Sequence, residues 1–421
     1  MPGPIRSIAA ARRDKGFVAQ DDSGTLGLYY STSGRVLWTG PSPIPRARSI
    51  FYSPKGDGLL IAGERELASV ALDNPHPEFS LSAIFGKVWY EGLPEPSHTW
   101  ASTGGTDDYE AKLSLTPLLF GTLKGTFYSL LLAIPIAVLA AMYTSQFLHP
   151  TLRRIVKPVV EIMAALPSVV LGFLAALWLA PRLERWFPAL LLLLILVPAS
   201  IVGAGFASRL MPRSFRHRFP DGAEVFAFVG VLAIAFALAL SLAAPVEHAL
   251  FGGNFTTWLL STTGQTYQQR NAVVVGLAMG FAVIPIIFAI SEDAFSNVPR
   301  SLVSGSLALG ANRWQTVTRV VLPTASPGIF SAIMIGFGRA VGETMIVLLA
   351  AGNTAIMTLS PFDGFRTLSA NIATEITDAV PGSTHFRTLF LAALLLFALT
   401  FVVNTVAELV RQRLRSKYSN L

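Results

Sequence analysis

Long apolar segments constrain the fold of this chain more than any other feature. Seven of them follow residue 113, at residues 117–147, 160–180, 187–207, 223–246, 272–291, 326–350 and 386–410. About 20 helical residues cross a hydrocarbon core of about 30 Å, and each segment reaches that length. The segments lack the period-two alternation of barrel strands, so they predict membrane-spanning helices. Hydrophobic residues at 52% and charged residues at 14% exclude a disordered chain, a coiled coil and a simple soluble enzyme.

Several motifs that carry chemistry are missing from the sequence. The chain has no cysteine, which excludes disulfides, thiolate metal sites and thiol catalysis. It contains no G-x-x-x-x-G-K-[ST] phosphate loop, no H-E-x-x-H and no G-x-S-x-G motif. Its six histidines are scattered without metal-ligand spacing. We therefore predict no catalytic residue, no metal site and no cofactor, and any energy for active transport has to come from a partner or an ion gradient.

Residues 1–112 differ from the rest and predict a β-rich domain. Short strands separated by Gly, Asp and Pro turns are expected at residues 16–20, 25–32, 35–38, 49–52, 59–62 and 67–72. The turn chemistry resembles blades of a β-propeller, but one to one and a half blades fit here, whereas closed propellers use about four to eight. We expect either a partial propeller-like domain that continues upstream or a small self-contained β cap.

Lys and Arg positions predict the orientation in the membrane. Threading seven spans with the C-terminus inside places 14 basic groups inside and five outside. This bias predicts that the C-terminus is cytoplasmic and that the domain of residues 1–112 lies outside the cell membrane. It also explains the net charge of +7, so no nucleic-acid-binding role is needed to account for that charge. No apolar segment precedes the strands, so we expect a further helix upstream of Met1. The inner groups are Arg153, Arg154, Lys157, Arg209, Arg213, Arg216, Arg218, Arg300, Arg313, Arg319, Arg411, Arg413, Arg415 and Lys417; the outer groups are Arg182, Arg185, Arg270, Arg366 and Arg387.

A charged motif lies in the middle of the sixth apolar segment. Arg339 is about ten residues from either end of that segment, too far to reach water easily, and inserting its charge costs at least about 2.5–3.5 kcal/mol. Glu343 is four residues further on the same helical face, so the two can pair. Glycines at 336, 338 and 342 thin the helix. We interpret Arg339 as a bidentate donor to an oxyanion in a polar path; the alternative is a structural pair that locks helices together.

Two further features concern the cytoplasmic side. Pro167 predicts a broken or kinked helix, and Glu161 before it predicts a solvated charge near the inner boundary. The loop before the sixth span predicts two short amphipathic helices, the second at residues 312–321 and broken by Pro323. This pair of helices either docks into a groove on a partner protein or lies on the lipid surface with Trp314 as an anchor.

Taken together, these segments resemble the permeases of ABC importers. Residues 306–323 are similar to the EAA loop, with a glycine followed about a dozen residues later by Leu-Pro. Residues 338–344 (G-R-A-V-G-E-T) are similar to the motif of phosphate-specific permeases, and Met345 favours the PstC type over the PstA type. Residues 113–122 and 161–172 fit the same family, and the resemblance covers about 113–415.

The resemblance implies partners and site residues. It implies a second, PstA-like permease, a cytoplasmic ATPase dimer and a periplasmic phosphate-binding protein. It assigns the transport path to Arg339, Glu343, Thr344, Gly338 and Gly342. It assigns contact with the ATPase to the cytoplasmic loop 292–323, through Ser304, Gly305, Ser306, Gly310, Arg313, Trp314, Leu322 and Pro323.

The EAA loop departs from the family pattern in its first three residues. Ser304-Gly305-Ser306 stand where the family usually has Glu-Ala-Ala, which removes a carboxylate that could contact the ATPase. The glycine also weakens a helix by up to about 1 kcal/mol relative to alanine.

The sequence therefore predicts an all-α transmembrane bundle of the ABC-importer permease type over residues 113–421, preceded by a partial β-rich domain over 1–112. The expected function is import of inorganic phosphate across a bacterial inner membrane, with ATP hydrolysed in a partner chain. Alternatives are an ion-coupled secondary anion transporter or channel, a sister permease or another oxyanion importer, and a membrane-anchored phosphate sensor. Secondary transporters often show two similar halves, and residues 328–350 have no obvious repeat earlier in the chain.

Overall fold

The computed structural model describes residues 3–104, 109–210 and 223–418. The chain divides into two compact units. The first contains Met1–Phe120 and Asn371–Leu394, and the second contains Gly121–Ala370 and Leu395–Leu421. The predicted domain limits, 1–112 and 113–421, stay a prediction.

The first unit contains all the strands found in the described residues, and their pairing is antiparallel. A four-stranded sheet has the order β1-β2-β3-β4, a three-stranded sheet has the order β5-β6-β7, and β8 pairs with β9. All six predicted strands are present as β2 to β7, and β1, β8 and β9 are additional. Neither sheet closes on itself within the described residues, so the propeller-like arrangement is not confirmed. The strands are β1 (Ile5–Ala10), β2 (Gly16–Asp21), β3 (Thr25–Tyr30), β4 (Arg35–Pro41), β5 (Ser49–Tyr52), β6 (Gly58–Ala62), β7 (Leu67–Ala71), β8 (Trp100–Ala101) and β9 (Lys112–Leu113).

A small apolar core explains why these strands form. Side chains such as Val18, Leu28 and Ile61 are buried together between β2, β3 and β6. The turn from β2 to β3 closes at Gly24, whose φ of +81° favours a residue without a side chain. The Nε2 atom of the buried Gln20 amide donates to the Ile44 carbonyl at 2.8 Å, whereas its Oε1 atom is buried without a partner among the described residues.

The first unit also includes residues from near the end of the chain. The Trp100 indole N–H donates to Oε1 of Glu375 at 3.0 Å, and His385 Nε2 lies 2.7 Å from Oε2 of the same carboxylate. His76 Nδ1 lies 2.8 Å from the Thr384 hydroxyl. These contacts explain why Asn371–Leu394 packs with the β-rich region rather than with the rest of the helices.

Helices make up most of the remaining chain. In order they are α1 (Leu81–Phe85), α2 (Thr116–Gln146), α3 (Pro150–Ala164), α4 (Ser168–Phe173), α5 (Ala180–Leu210), α6 (Ala223–Phe251), α7 (Phe255–Thr263), α8 (Ala272–Ser296), α9 (Arg300–Ala308), α10 (Arg313–Thr316), α11 (Leu322–Gly342), α12 (Met345–Ala350), α13 (Leu368–Glu375) and α14 (Thr384–Tyr418). Two π-helical turns, Leu174–Leu179 and Val317–Val321, join α4 to α5 and α10 to α11.

Six helical runs in the described residues are long and apolar enough to cross a membrane, rather than the seven expected. They are Thr116–Gln146, Ser168–Ala207, Ala227–Thr263, Ala272–Ser296, Arg313–Gly342 and Thr384–Arg413. The predicted segments 160–180 and 187–207 join into one run, because the charged residues between them include good helix formers. Pro188 bends this run at Trp186 (φ −109°, ψ 20°) but does not end it.

Proline acts differently at two other positions. The break expected at Pro167 is confirmed, since α3 ends at Ala164 and α4 begins at Ser168. The break expected at Pro323 is wrong: α10, a π turn and α11 form one continuous run. Pro323 lies in the first turn of α11, and the wider turn before it accommodates both the ring and the missing N–H donor.

Helix α8 is the centre of the second unit. It packs against α11, α3 and α12, and 15 of its residues are buried. Glycine permits the closest approaches, because a Cβ on Gly276 would lie 3.1 Å from the Tyr128 carbonyl oxygen and one on Gly336 would lie 2.6 Å from Ile287. These contacts hold α2 and α11 against α8.

Helices α5 and α6 pack along each other as a hairpin. At one end of the hairpin, the Phe187 and Phe255 rings stack with centroids 4.6 Å apart, beside Tyr267 and Phe362. Most of the other side chains on both helices are exposed and apolar, as expected for lipid-facing surface. The predicted inner loop between these helices, with Arg213, Arg216 and Arg218, lies outside the described residues.

Candidate transport site and coupling loop

The predicted transport-path motif lies where a long helix is interrupted. Helix α11 ends at Gly342, Glu343 is extended (φ −66°, ψ 124°), and α12 begins at Met345. Two hydroxyl groups bind backbone carbonyls that the break exposes: Ser369 Oγ donates to the Glu343 oxygen at 3.0 Å, and Thr344 Oγ1 donates to the Gly342 oxygen at 3.2 Å. Such donors make a break in a membrane helix tolerable.

The sequence suggested that Arg339 lies in the middle of a helix. In the structure it lies in the last turn of α11. Its side chain is partly buried, and its Nε atom is fully buried without a hydrogen-bond partner among the described residues. Within the described part of the chain, no hydrogen bond or ion pair to the guanidinium occurs. A cation in this setting has lost much of its hydration and gained no counter-charge.

The expected Arg339–Glu343 pair is absent from the described residues. The spacing of four residues aligns two side chains if the helix continues, and here it ends before Glu343. Instead, Oε1 of Glu343 accepts from the Ile346 N–H at 3.4 Å, within the first turn of α12. The structure therefore brings both charges to the same break without joining them.

The glycines of the motif have different surroundings. Gly336 packs against Ile287 and Val283 of α8. A Cβ on Gly338 would meet Asn404 Oδ1 at 3.8 Å, and one on Gly342 would meet no atom within 4 Å. One side of α11 thus packs in the core at Gly336, Gly338 lies against Asn404 of α14, and the side at Gly342 is open.

Sequence reasoning missed hydroxyl groups that surround the break. Thr122 Oγ1 accepts from the Leu368 N–H at 3.0 Å, and Thr367 Oγ1 lies 3.1 Å from Ser369 Oγ. Thr122, Thr367 and Ser369 are all buried. The available signal was Thr367 directly before α13, a residue type typical of helix starts.

Sequence reasoning also missed a buried lysine. Lys124 lies in α2 and is 3% exposed. Its ammonium donates to the Asp363 carbonyl oxygen at 3.2 Å and lies 5.7 Å from the Phe365 ring centroid. A charge inside the first apolar segment was the signal, and it has the contacts of a structural anchor for the loop before α13.

The predicted coupling loop forms the first expected short helix, α9, whereas the second, α10, continues into α11 instead of ending at Pro323. Ser306 Oγ lies 3.0 Å from Thr316 Oγ1, which ties one helix to the other. Gly310 between them has φ +89°, a conformation that favours glycine. Asn312 and Gln315 cap α10 reciprocally, through hydrogen bonds of 2.8 and 2.9 Å.

Apolar side chains of this loop are exposed. Leu309 is 92% exposed and Trp314 is 58% exposed, although the Trp314 ring also contacts Phe147 at the end of α2. Ser304, Gly305, Gly310 and Arg313 are exposed, whereas Ser306, Leu322 and Pro323 are partly buried. The loop and the transport motif lie on one helical run, and the 16 residues from Pro323 to Arg339 span about 24 Å. They are two sites, not one.

Comparison with known proteins decides the family. A family model described as "Binding-protein-dependent transport system inner membrane component" matches residues 133–416, more than half of the chain. The chain belongs to this family. The predicted permease fold and the role of a membrane permease in an ABC importer are thereby confirmed, and a secondary transporter or channel is not favoured.

Individual relatives agree with this assignment. A probable ABC transporter permease, YqgH, from Bacillus subtilis is 25% identical over 295 residues, covering 70% of this chain and 71% of the relative. Phosphate transport system permease protein PstC 1 from Mycobacterium tuberculosis is 28% identical, covering 74% and 78%. PstC from Mesorhizobium japonicum is 26% identical, covering 80% and 84%. A solved chain of the inward-facing MetNI methionine ABC transporter has a TM-score of 0.38 at 15% identity, covering 71% and 94%.

Family membership makes the chain a multi-pass inner membrane protein that works with ATPase and substrate-binding partners. As a permease subunit it is not itself an enzyme.

Proposed function

We propose that this chain is the PstC-type permease of an importer that moves inorganic phosphate into the cytoplasm. The observation that carries the proposal is Arg339, a partly buried guanidinium without a partner among the described residues, at a break in a membrane helix. Similarity to relatives named as phosphate transport permeases supports the choice of anion.

The geometry at the break suits a passing oxyanion. A guanidinium offers parallel N–H donors that match two oxygens of a tetrahedral anion. Because the Glu343 carboxylate contacts the α12 backbone instead, those donors are available for phosphate. The open side at Gly342 gives an anion access to them, whereas the Thr344 hydroxyl is already donated to the Gly342 carbonyl. Glu343 repels the anion, which favours release over tight binding.

We propose the loop 292–323 as the contact to the ATPase. Leu309 and Trp314 expose large apolar surfaces at the end of a capped, rigid turn, as a docking knob requires. In this account the chain pairs with a PstA-like permease, a cytoplasmic ATPase dimer hydrolyses ATP, and a periplasmic phosphate-binding protein delivers the anion.

We also propose that residues 1–112 form an external domain, that residues 113–421 form the permease domain, and that the C-terminus is cytoplasmic. The run Ser168–Ala207 has 40 residues and bends at Trp186. As a helix it is about 60 Å long, roughly twice the thickness of the hydrocarbon core of a membrane. Because Phe187 stacks on Phe255, the start of the α5–α6 hairpin and its end lie at the same depth in the membrane. In the proposed orientation this bent run crosses the membrane twice, which with the other five runs makes seven crossings.

The test is phosphate uptake in a strain that lacks its own phosphate permease. The chain is expressed with its PstA-like, ATPase and binding-protein partners, and uptake of radiolabelled phosphate is measured with excess sulfate or molybdate as competitors. We expect saturable uptake that is unaffected by either competitor and is abolished when the phosphate-loop lysine of the ATPase is replaced. Uptake that persists without ATP hydrolysis contradicts the importer role, and competition by sulfate or molybdate contradicts the choice of phosphate.

A further inference from the structure

A buried carboxylate lies at the cytoplasmic end of α8, outside the proposed transport path. Glu292 is fully buried, and both of its oxygens accept hydrogen bonds. Oε1 accepts from Arg153 and from the Ser296 hydroxyl, the latter at 2.9 Å, and Oε2 accepts from Lys157 Nζ at 3.2 Å. A buried carboxylate with two cationic partners and a hydroxyl donor is fully satisfied, and so costly to separate from them.

This ionic cluster, defined here as Arg153, Lys157, Glu292 and Ser296, joins two elements that are far apart in sequence. Arg153 and Lys157 lie one turn apart on α3, whereas Glu292 and Ser296 lie one turn apart at the end of α8. Arg153 also donates to the Ser296 hydroxyl, and Lys157 pairs with Asp293 at 2.9 Å. The hydrogen bond to Asp293 raises the pKa of Lys157, so its charge is retained.

The cluster includes the first residues of the coupling loop, because Glu292 and Ser296 lie within residues 292–323. Helix α9 begins at Arg300, four residues after Ser296, so displacement of the loop acts directly on the last turn of α8. Trp314 of the loop contacts Phe147, and Gln146 Nε2 donates to the Phe295 carbonyl at 3.3 Å. The end of α2 is therefore tied to the same region.

Helix α3 leads from the cluster towards the break. Residues 165–167 connect α3 to α4, and α4 packs against α12. The contact is close at Gly172, where a Cβ would lie 2.9 Å from the Met345 carbonyl oxygen and 3.2 Å from the Ile346 Cα. Because there is no room to compress this contact, α12 has to follow α4 when α4 moves.

We propose that the ionic cluster around Glu292 is a latch that transmits movement of the coupling loop through α3 and α4 to the helix break at Glu343. Glu292 is a positioning residue: it touches no substrate and acts by making α3 move with the end of α8. The inference rests on the proposed importer function and adds the route by which ATP hydrolysis in the partner opens and closes the site.

The test uses the full reconstituted complex and a single introduced cysteine. Since the chain has no native cysteine, Thr344→Cys places one thiol beside the break. Its labelling rate by a small maleimide is measured with and without ATP, on the otherwise unchanged chain and on latch variants. We expect ATP to change the rate at least fivefold in the unchanged chain and less than twofold in Glu292→Gln.

Two further variants keep the result interpretable. Arg153→Met/Glu292→Met replaces the charged pair by apolar side chains, so that no charge is left without its partner and the chain can fold if the single variant does not. We expect this double variant to be present in the membrane but insensitive to ATP at position 344. Glu408→Gln, which removes an exposed carboxylate paired with Arg411, is the control and should respond like the unchanged chain.

The outcomes separate the inference from the proposed function. A normal ATP response in the double variant overturns the latch, as does the lack of any response in the unchanged chain. Phosphate uptake is measured in matched vesicles that carry the same latch variants with the native Thr344. An intact ATP response without phosphate uptake contradicts the choice of anion and leaves the latch supported, whereas uptake with a normal ATP response in the double variant supports the importer and removes the latch.

Discussion

At the scale of single residues, the charges inside the helical unit differ in how they are satisfied. Lys124 donates to a backbone carbonyl, and Glu292 accepts from two cations and a hydroxyl. Arg339 has no such partner among the described residues, although it too has lost part of its hydration. Burial without compensation is costly, so a structural role accounts for the first two charges and a ligand role accounts best for the third.

Ser369 is expected to matter for transport although it carries no charge. Its hydroxyl donates to the Glu343 carbonyl and so fixes the extended residue of the break. Ser369→Ala removes one buried hydrogen bond of about 1 kcal/mol, which corresponds to roughly a fivefold loss of uptake rate. Initial rates of phosphate uptake at equal membrane abundance measure this effect.

Ser241→Ala is the matched control for that substitution. Its hydroxyl donates to the Leu238 carbonyl of its own helix, on the exposed surface of α6. We expect an unchanged uptake rate. Equal rates for Ser369→Ala and Ser241→Ala would show that the serine does not position the break.

At the scale of helices and strands, the sequence predicted the features that depend on composition and on the spacing of apolar residues. Strands β2 to β7 and the long apolar helices were found where alternation, length and turn residues indicated them. Details set by tertiary contacts were missed. The end of α11 at Gly342 depends on Ser369, a residue 27 positions later, so spacing alone suggested a continuous helix and an Arg339–Glu343 pair.

The effect of proline on a helix also depends on structure that the local sequence does not predict. Pro167 ends a helix and Pro323 does not, although both follow a leucine. The difference is the π turn Val317–Val321, which local sequence does not signal. The residues of the candidate site stay a prediction, and their geometry depends on tertiary contacts that the local sequence does not signal.

The exposed tip of the coupling loop is expected to hold the ATPase. Leu309→Asp places a charge on a surface that has to lose water when it docks, and the loss of one buried leucine alone costs about 1.5–3 kcal/mol. We expect at least a tenfold drop in the ATPase that copurifies with the chain in mild detergent.

The control for Leu309→Asp is Leu194→Ala, at a side chain of α5 that is 61% exposed, because its truncation leaves the coupling loop intact. Leu194→Asp is unsuitable, since it would place a charge on the apolar surface of α5. We expect Leu194→Ala to copurify normally. Full copurification of Leu309→Asp would place the ATPase contact elsewhere.

At the scale of the whole molecule, the proposed orientation in the membrane can be tested with introduced cysteines. The chain has no native cysteine, so each introduced thiol is unambiguous. Glu64 is exposed in the β-rich unit, and Ser301 is exposed in the coupling loop. We expect a membrane-impermeant maleimide to label Glu64→Cys from the periplasmic side and Ser301→Cys only after the membrane is opened. The opposite pattern would invert the proposed orientation.

The most direct test of the transport-site account is phosphate uptake by Arg339 variants in the complete importer at equal membrane abundance. Arg339→Gln loses charge-assisted hydrogen bonds of about 1.5–3 kcal/mol, so we predict a fall in kcat/KM of at least about tenfold. Arg339→Lys keeps the charge without the planar fork and should lie between the two. Arg411→Gln, on the last helix, should behave like the unchanged chain. Unchanged kcat/KM in Arg339→Gln would contradict the assignment of this guanidinium to the path of the anion.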